Sequence, residues 1–100
     1  MRRGTTPEYE LIVDMDLTGW TCYVTLKWSK TEVTLEADRL DVTGGEQSTV
    51  RFSLSQEESL KFRPGKANIQ LRAIKDGVAV ATDIATVSVG KILKDGEIVE

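Results

Sequence analysis

Few residues in this chain could carry out covalent chemistry. There is no His and only one Cys, Cys22. That excludes an ordinary zinc site, a Ser-His or Cys-His pair and a disulfide framework. Carboxylates are the next candidates: Asp14 and Asp16 flank one loop, and Asp38 and Asp41 flank another. Oxygen-rich loops at the end of a β domain suit calcium, but calcium takes about six to eight ligands on a sharply turning loop. Neither pair has that spacing, and solvated turn carboxylates are the simpler reading. Glu57 and Glu58 are adjacent, so as a catalytic pair they would point apart. An activated Ser or Thr would need a base, which only Lys could supply, and no Ser-x-x-Lys stands in a context that suggests it. Gly44-Gly45 lacks the following helix and Lys of a phosphate-binding loop. No residue set supplies an acid, a base and a nucleophile together, so the expectation is a chain without catalytic, cofactor or metal site.

Binding chemistry is only slightly better supplied. Thirteen basic and sixteen acidic residues leave a net charge of −3, which argues against nucleic acid as a partner. The densest basic stretch, Lys61-Phe62-Arg63-Pro64-Gly65-Lys66, reads as a solvated turn, with no aromatic beyond Phe62 to stack a base. Trp20 and Trp28 lie on an apolar row and read as core. Tyr23 stands on the opposite, polar face and is the one candidate for a ligand surface, such as a carbohydrate-binding module would use together with loop aspartates.

The elements that position these residues are strands. Val, Ile and Thr number 27 of the 100 residues, a composition suited to pleated, half-buried strands. Alternation is cleanest over residues 20–29, where Trp20, Cys22, Val24, Leu26 and Trp28 share one face. Cys22 therefore reads as a buried thiol that fills core. Tyr9, Leu11 and Val13 form an earlier row, and Val33 with Leu35 a later one. Leu40 and Val42, then Gly44-Gly45, then Val50, Phe52 and Leu54 describe a hairpin.

Ser55 with Glu58 spells a capping box, so one short helical turn is expected near residues 56–61, with Leu60 and Phe62 plugging an end of the core. Ala67, Ile69, Leu71 and Ala73 lead to Asp76-Gly77, a two-residue hairpin signal. That turn pairs Lys75 with Val78, Ala73 with Val80, Leu71 with Thr82 and Ile69 with Ile84. Beyond Ile84 the parity shifts, because Ala85, Val87 and Val89 fall opposite Val80 and Ile84. Either a bulge near Asp83 re-aims them, or they lie against something else.

The spacing of about seven short strands predicts an all-β antiparallel sandwich. Residues 1–7 read as a flexible N-terminal arm, 8–90 as the sandwich, and 91–100 as a β-ribbon tail turning at Asp95-Gly96. An isolated ribbon is marginal in water, so the tail is expected to pack on the body or on another subunit. Val87, Val89, Ile92, Leu93, Ile98 and Val99 are accordingly the candidate interface. No apolar run approaches the ~18 residues of a membrane span, and nothing apolar follows Arg2-Arg3 as in a secretory signal.

Leu17-Thr18-Gly19-Trp20 and the strand ending Leu26-Lys27-Trp28 are followed by Val50-Arg51-Phe52-Ser53-Leu54-Ser55-Gln56-Glu57-Glu58-Ser59-Leu60 and Phe62-Arg63-Pro64-Gly65-Lys66. The Ile69-to-Ile84 hairpin and Val87-Ser88-Val89-Gly90 close the set. In this order the motifs, over roughly residues 11–90, resemble small tail-associated proteins of phages and prophages of Gram-positive bacteria. They also resemble the immunoglobulin-like N-terminal domain of phage baseplate upper proteins. The resemblance implies an immunoglobulin-like sandwich that docks onto a tail or baseplate core. Protein partners in that assembly, a homo-oligomer, and a virion-associated protein made in the bacterial cytoplasm are its further implications. The chain ends at Glu100 without the coiled coil or receptor-binding domain of the baseplate pattern, so host-cell attachment is not carried over.

Overall fold

Alternating apolar residues and the turns between them build two antiparallel sheets in the computed structural model, which describes all 100 residues. In chain order the strands are β1 (Glu8–Val13), β2 (Thr21–Trp28), β3 (Thr31–Leu35), β4 (Asp41–Thr43), β5 (Ser48–Ser53), β6 (Gly65–Lys75), β7 (Val78–Ala81) and β8 (Ala85–Val89). One sheet has the order β1-β5-β4. The other has the order β3-β2-β6-β7, with β8 also pairing β6. Because β7 and β8 are two halves of one edge strand, the sandwich has seven strands. Its orders match the B-E-D and C′-C-F-G strands of an immunoglobulin-type sandwich.

Sixteen buried apolar residues form one core between the sheets. Cys22, Val24 and Leu26 of β2 face Val50 and Phe52 of β5 in the opposite sheet, with Ala67, Ile69, Leu71 and Ala73 of β6 beside them. Each fully buried Val, Leu or Phe contributes about 1.5–3 kcal/mol relative to exposure. Trp20 and Trp28 are half-buried and pack against this core, as their shared row predicts. Phe62, wholly buried, closes the end of the core below α1 (Gln56–Leu60).

Local chemistry sets the connections. Asp76 and Gly77 have φ of +50° and +79°, the left-handed pair that a type I′ turn requires, and Lys75 pairs Val78 across it. The capping box of α1 is complete: the Glu58 amide donates to Ser55 Oγ and the Ser55 amide donates to the Glu58 carboxylate. A 3₁₀ turn at Ala37–Arg39, which no sequence signal announced, carries the chain from β3 in one sheet to β4 in the other.

The parity shift in the second half of the last hairpin is a bulge. Arg72 pairs Ala81, yet Ile69 pairs Ala85. Two residues of β6, Gln70 and Leu71, therefore oppose three, Thr82, Asp83 and Ile84. One extra residue exchanges the faces of everything after it. The straight-register expectation of Ile69 facing Ile84 is thus corrected. Ile84 points into solvent, 62% exposed, while Val89 is buried and Val87 packs on the core. The outward-facing reading of Val87 and Val89 as interface residues is overturned for the same reason.

Both termini also depart from expectation. Residues 1–7 are docked rather than free. Arg2 forms a parallel bridge with Gly90, and the Arg3 and Gly90 amides donate to the carbonyls of Gly90 and Met1. The Arg3 guanidinium donates to the carbonyls of Leu60 and Phe62. These are orphan acceptors at the end of α1, where a cation is favoured. Ser59 Oγ donates to the Thr5 carbonyl at 2.7 Å, and the Leu54 amide to that of Pro7 at 3.0 Å.

At the other terminus, residues 91–100 form no ribbon. Gly96 has a φ of +84°, but the two short arms beside it are too brief to hold a ladder alone. The tail instead crosses α1, where Gln56 Nε2 donates to the Ile98 carbonyl and the Ile98 amide donates to Gln56 Oε1.

Candidate functional site

A sandwich has two lateral openings where the edges of its sheets face one another. On one side the chain closes the opening itself, since residues 36–40 pass directly from β3 to β4. On the other side β1 faces β7 and β8. The arm of residues 1–3 covers the end of this opening near Gly90. Further along it, beside the bulge, nothing does.

The uncovered part is a cleft of about 460 Å³. Leu11, Ile12 and Val13 of β1 form one wall, and Val80, Ala81 and Ala85 form the other. Ile69 and Leu71 of β6 lie at its floor, where the extra residue interrupts the edge strand. The bulge satisfies its own backbone. Thr82 N–H donates to the Leu71 carbonyl at 2.9 Å, and Leu71 N–H donates to Thr82 Oγ1 at 3.1 Å. Gln70 Nε2 donates to the Thr82 carbonyl at 2.8 Å. Exposed Asp14 and Asp83 bring two carboxylates to this apolar surface. Both walls are sheet edges: β1 pairs only β5, and β7 and β8 pair only β6.

The tail residues singled out from sequence are only partly supported by the body. Ile92 is half-buried, its Cδ1 close over Gly4 beside Leu60. Leu93 and Val99 are fully exposed, at 106% and 96%, and Ile98 is 59% exposed. Besides the Gln56 contacts, the tail is held by Arg2 donating to the Lys91 carbonyl and by an Arg3–Asp95 ion pair at 3.5 Å. The structure thus separates the six predicted interface residues: Val87 and Val89 go inside, and Leu93, Ile98 and Val99 stay out.

Tyr23 lies on the outer face of the β3-β2-β6-β7 sheet, in a shallow depression shared with Glu32, Thr34, Arg72 and Ile74. The loop carboxylates do not join it. Asp16 instead accepts from the amide and hydroxyl of Thr18 and, at 3.3 Å, from the Gly45 amide. Hydrogen bonding by the Thr18 hydroxyl, above all, holds the Asp16 carboxyl below its ordinary range. No three His, Cys, Asp or Glu side chains gather in one place. Glu58, read from sequence as a capping acid, has a second role. Arg39 donates to both its carboxylate oxygens, at 2.7 and 3.1 Å, and to the Ser53 carbonyl. Those bonds push the Glu58 carboxyl down. Burial pushes the Cys22 thiol up, away from the thiolate that reacts.

The cleft was not foreseen. Its one sequence signal is the parity break after Ile84, where a bulge near Asp83 and an outward contact face are the two alternatives and the structure realises the bulge. No protein-family model matches the chain, and no curated protein matches it.

Proposed function

We propose that this chain is a non-catalytic docking module, and that it works as a tail- or baseplate-associated component of a phage or prophage. One observation carries the docking reading: the sandwich leaves an apolar cleft between two unpaired strand edges and, at its other end, Leu93, Ile98 and Val99 in solvent on a charged tail. Sheet edges with unpaired N–H and C=O groups are templates for added strands. The phage context rests on the motif resemblance over residues 11–90, and the immunoglobulin-type strand order is compatible with it.

The test is made on particles. Antibodies raised against the chain should label the tail or baseplate of virions induced from the source strain, and mass spectrometry of purified particles should contain its peptides. Particles that lack both would refute the virion assignment.

A second reading, a carbohydrate-binding sandwich, is favoured by the depression around Tyr23 with its arginine, glutamate and threonine. A glycan array screened with and without calcium would support it only if binding disappears in Tyr23→Ala.

A further inference from the structure

We propose that copies of this chain associate end to end, the basic end of one sandwich meeting the acidic end of the next. This contact lies beyond the docking reading, because it uses neither the cleft nor an added strand.

The strands run the length of the molecule, and the charged side chains sort between its ends. β6 alone, with 11 residues, spans about 36 Å at ~3.3 Å per residue, most of the 45 Å longest extent. One end is made by the β1–β2 loop, the β4–β5 loop and the β6–β7 turn. It carries Asp14, Asp16, Glu46 and Asp76 against Lys75, a net charge of −3. All four carboxylates are exposed, and none forms an ion pair.

The opposite end gathers residues 1–7, the β2–β3 turn, residues 54–66 and residues 90–100. It holds eight Lys and Arg against five Asp and Glu, a net charge of +3 with the acidic tail included. Two of those five carboxylates are already engaged, Glu58 by Arg39 and Asp95 by Arg3. Arg2, Lys30, Lys61, Arg63, Lys66 and Lys91 are all exposed and without an ion pair. The densest basic run of the sequence, Lys61 to Lys66, therefore has company: separate turns bring further cations to the same end.

Like ends repel and unlike ends attract, so a two-fold pairing through either end is disfavoured. The favoured contact is heterologous and generates open chains or closed rings. An end face of about 29 by 20 Å is smaller than the ~800 Å² each partner gives to a standard interface, and complementary charge governs orientation and encounter more than affinity. The association is accordingly reversible and salt-sensitive, since screening shortens the reach of the charges from ~30 Å at 0.01 M salt to ~10 Å at 0.1 M.

Sedimentation of the full-length chain in about 0.01 M salt should give a mass that rises with concentration and returns to the monomer at about 0.5 M. Arg63→Glu/Lys66→Glu reverses charge at the basic end, and Asp14→Lys/Glu46→Lys at the acidic end. All four residues are exposed, so both variants should keep the fold and its thermal transition. Lys27→Glu/Arg72→Glu, on the outer face of the β3-β2-β6-β7 sheet, has the same net charge as the basic-end variant and controls for overall repulsion. The basic-end variant should associate at least about tenfold more weakly than this control, and the acidic-end variant at least about tenfold more weakly than the unmodified chain.

Mixing is the decisive arm. Each end variant retains the end that the other has lost, so an equimolar mixture should regain the association that neither shows alone. A full chain that stays monomeric to about 1 mM in low salt, association that 0.5 M salt leaves unchanged, a basic-end variant that behaves like its control, or a mixture no stronger than its components would each overturn the proposal. A monomeric chain that is nevertheless found in purified particles would sink copy-to-copy contact and leave docking to other proteins standing.

Discussion

Thr82→Val tests whether the bulge holds itself together as described. Thr82 Oγ1 is the acceptor for the amide of Leu71, a residue 1% exposed in the core of the sandwich. Valine keeps the size and branching of threonine and deletes that acceptor. The Thr82 amide still donates to the Leu71 carbonyl, so the strand stays in place with one inward N–H unpaired. An unsatisfied buried amide costs about 1–3 kcal/mol, and because this one lies beside an open cleft the lower part of that range applies, about 1–2 kcal/mol. The other lost bond, from Thr82 Oγ1 to the exposed Asp83 carbonyl, adds little because water replaces it. Each kcal/mol lowers Tm by roughly 4–8 °C in a domain of this size. Urea unfolding followed by the fluorescence of Trp20 and Trp28 measures the loss, and hydrogen exchange at Leu71 should accelerate in parallel. Thr82→Ser retains the oxygen and should stay within about 0.5 kcal/mol of the parent. If the valine and serine variants are equally stable, the hydroxyl is not the acceptor that holds the bulge.

Glu58→Gln should cost about 1 kcal/mol at neutral pH, given a partly exposed pair. The folded-state carboxyl is held low, so its contribution is complete above its ordinary value of 4.5 and disappears as pH falls through the lower folded value. The gap between the two proteins should therefore close on acidification below about pH 4.5; a gap that is flat with pH would contradict the Arg39 pairing. Gly44→Ala would push a methyl into Thr18 Oγ1 and to 2.8 Å from Asp16 Oδ1, costing about 1 kcal/mol. Thr18→Ala in the same chain should recover most of it, and additive losses in a double-mutant cycle would argue against the contact. Arg3→Ala leaves the Leu60 and Phe62 carbonyls without their charged donor and should cost about 1.5–3 kcal/mol for bonds to a charged group. It should also raise amide exchange at Arg3 and Gly90, and unchanged protection there would show that the arm is held without its side chain.

What the sequence made legible was whatever local periodicity and turn chemistry decide. The β2 row, the Asp76-Gly77 turn and the Ser55–Glu58 box each depend on residues within a few positions of one another, and each stands as read. The bulge was visible as a parity conflict, but choosing between a bulge and an outward face needed the partner strand, because the pairing of Ile69 with Ala85 is not encoded beside either residue. The docking of the arm is not legible locally because its partners, Leu60, Phe62 and Gly90, lie 57 or more residues away. The same holds for the tail, whose Asp-Gly suggested a ribbon while Gln56, 42 residues upstream, took up the Ile98 backbone. The candidate site suffered most from this, since a cleft between sheet edges is a property of packing and leaves no contiguous motif.

The docked N-terminus has a consequence for how the protein comes into being. Residues 1–3 are made before their partners at 60–62 and 88–90. During synthesis β1 must wait for β5 and the arm must wait for Gly90, so residues 1–3 stay unpaired until residue 90 has left the ribosome. Pairings of such long sequence separation are slow to form. The molecule closes like a clasp, with residues 1–3 fastened only once Gly90 is in place.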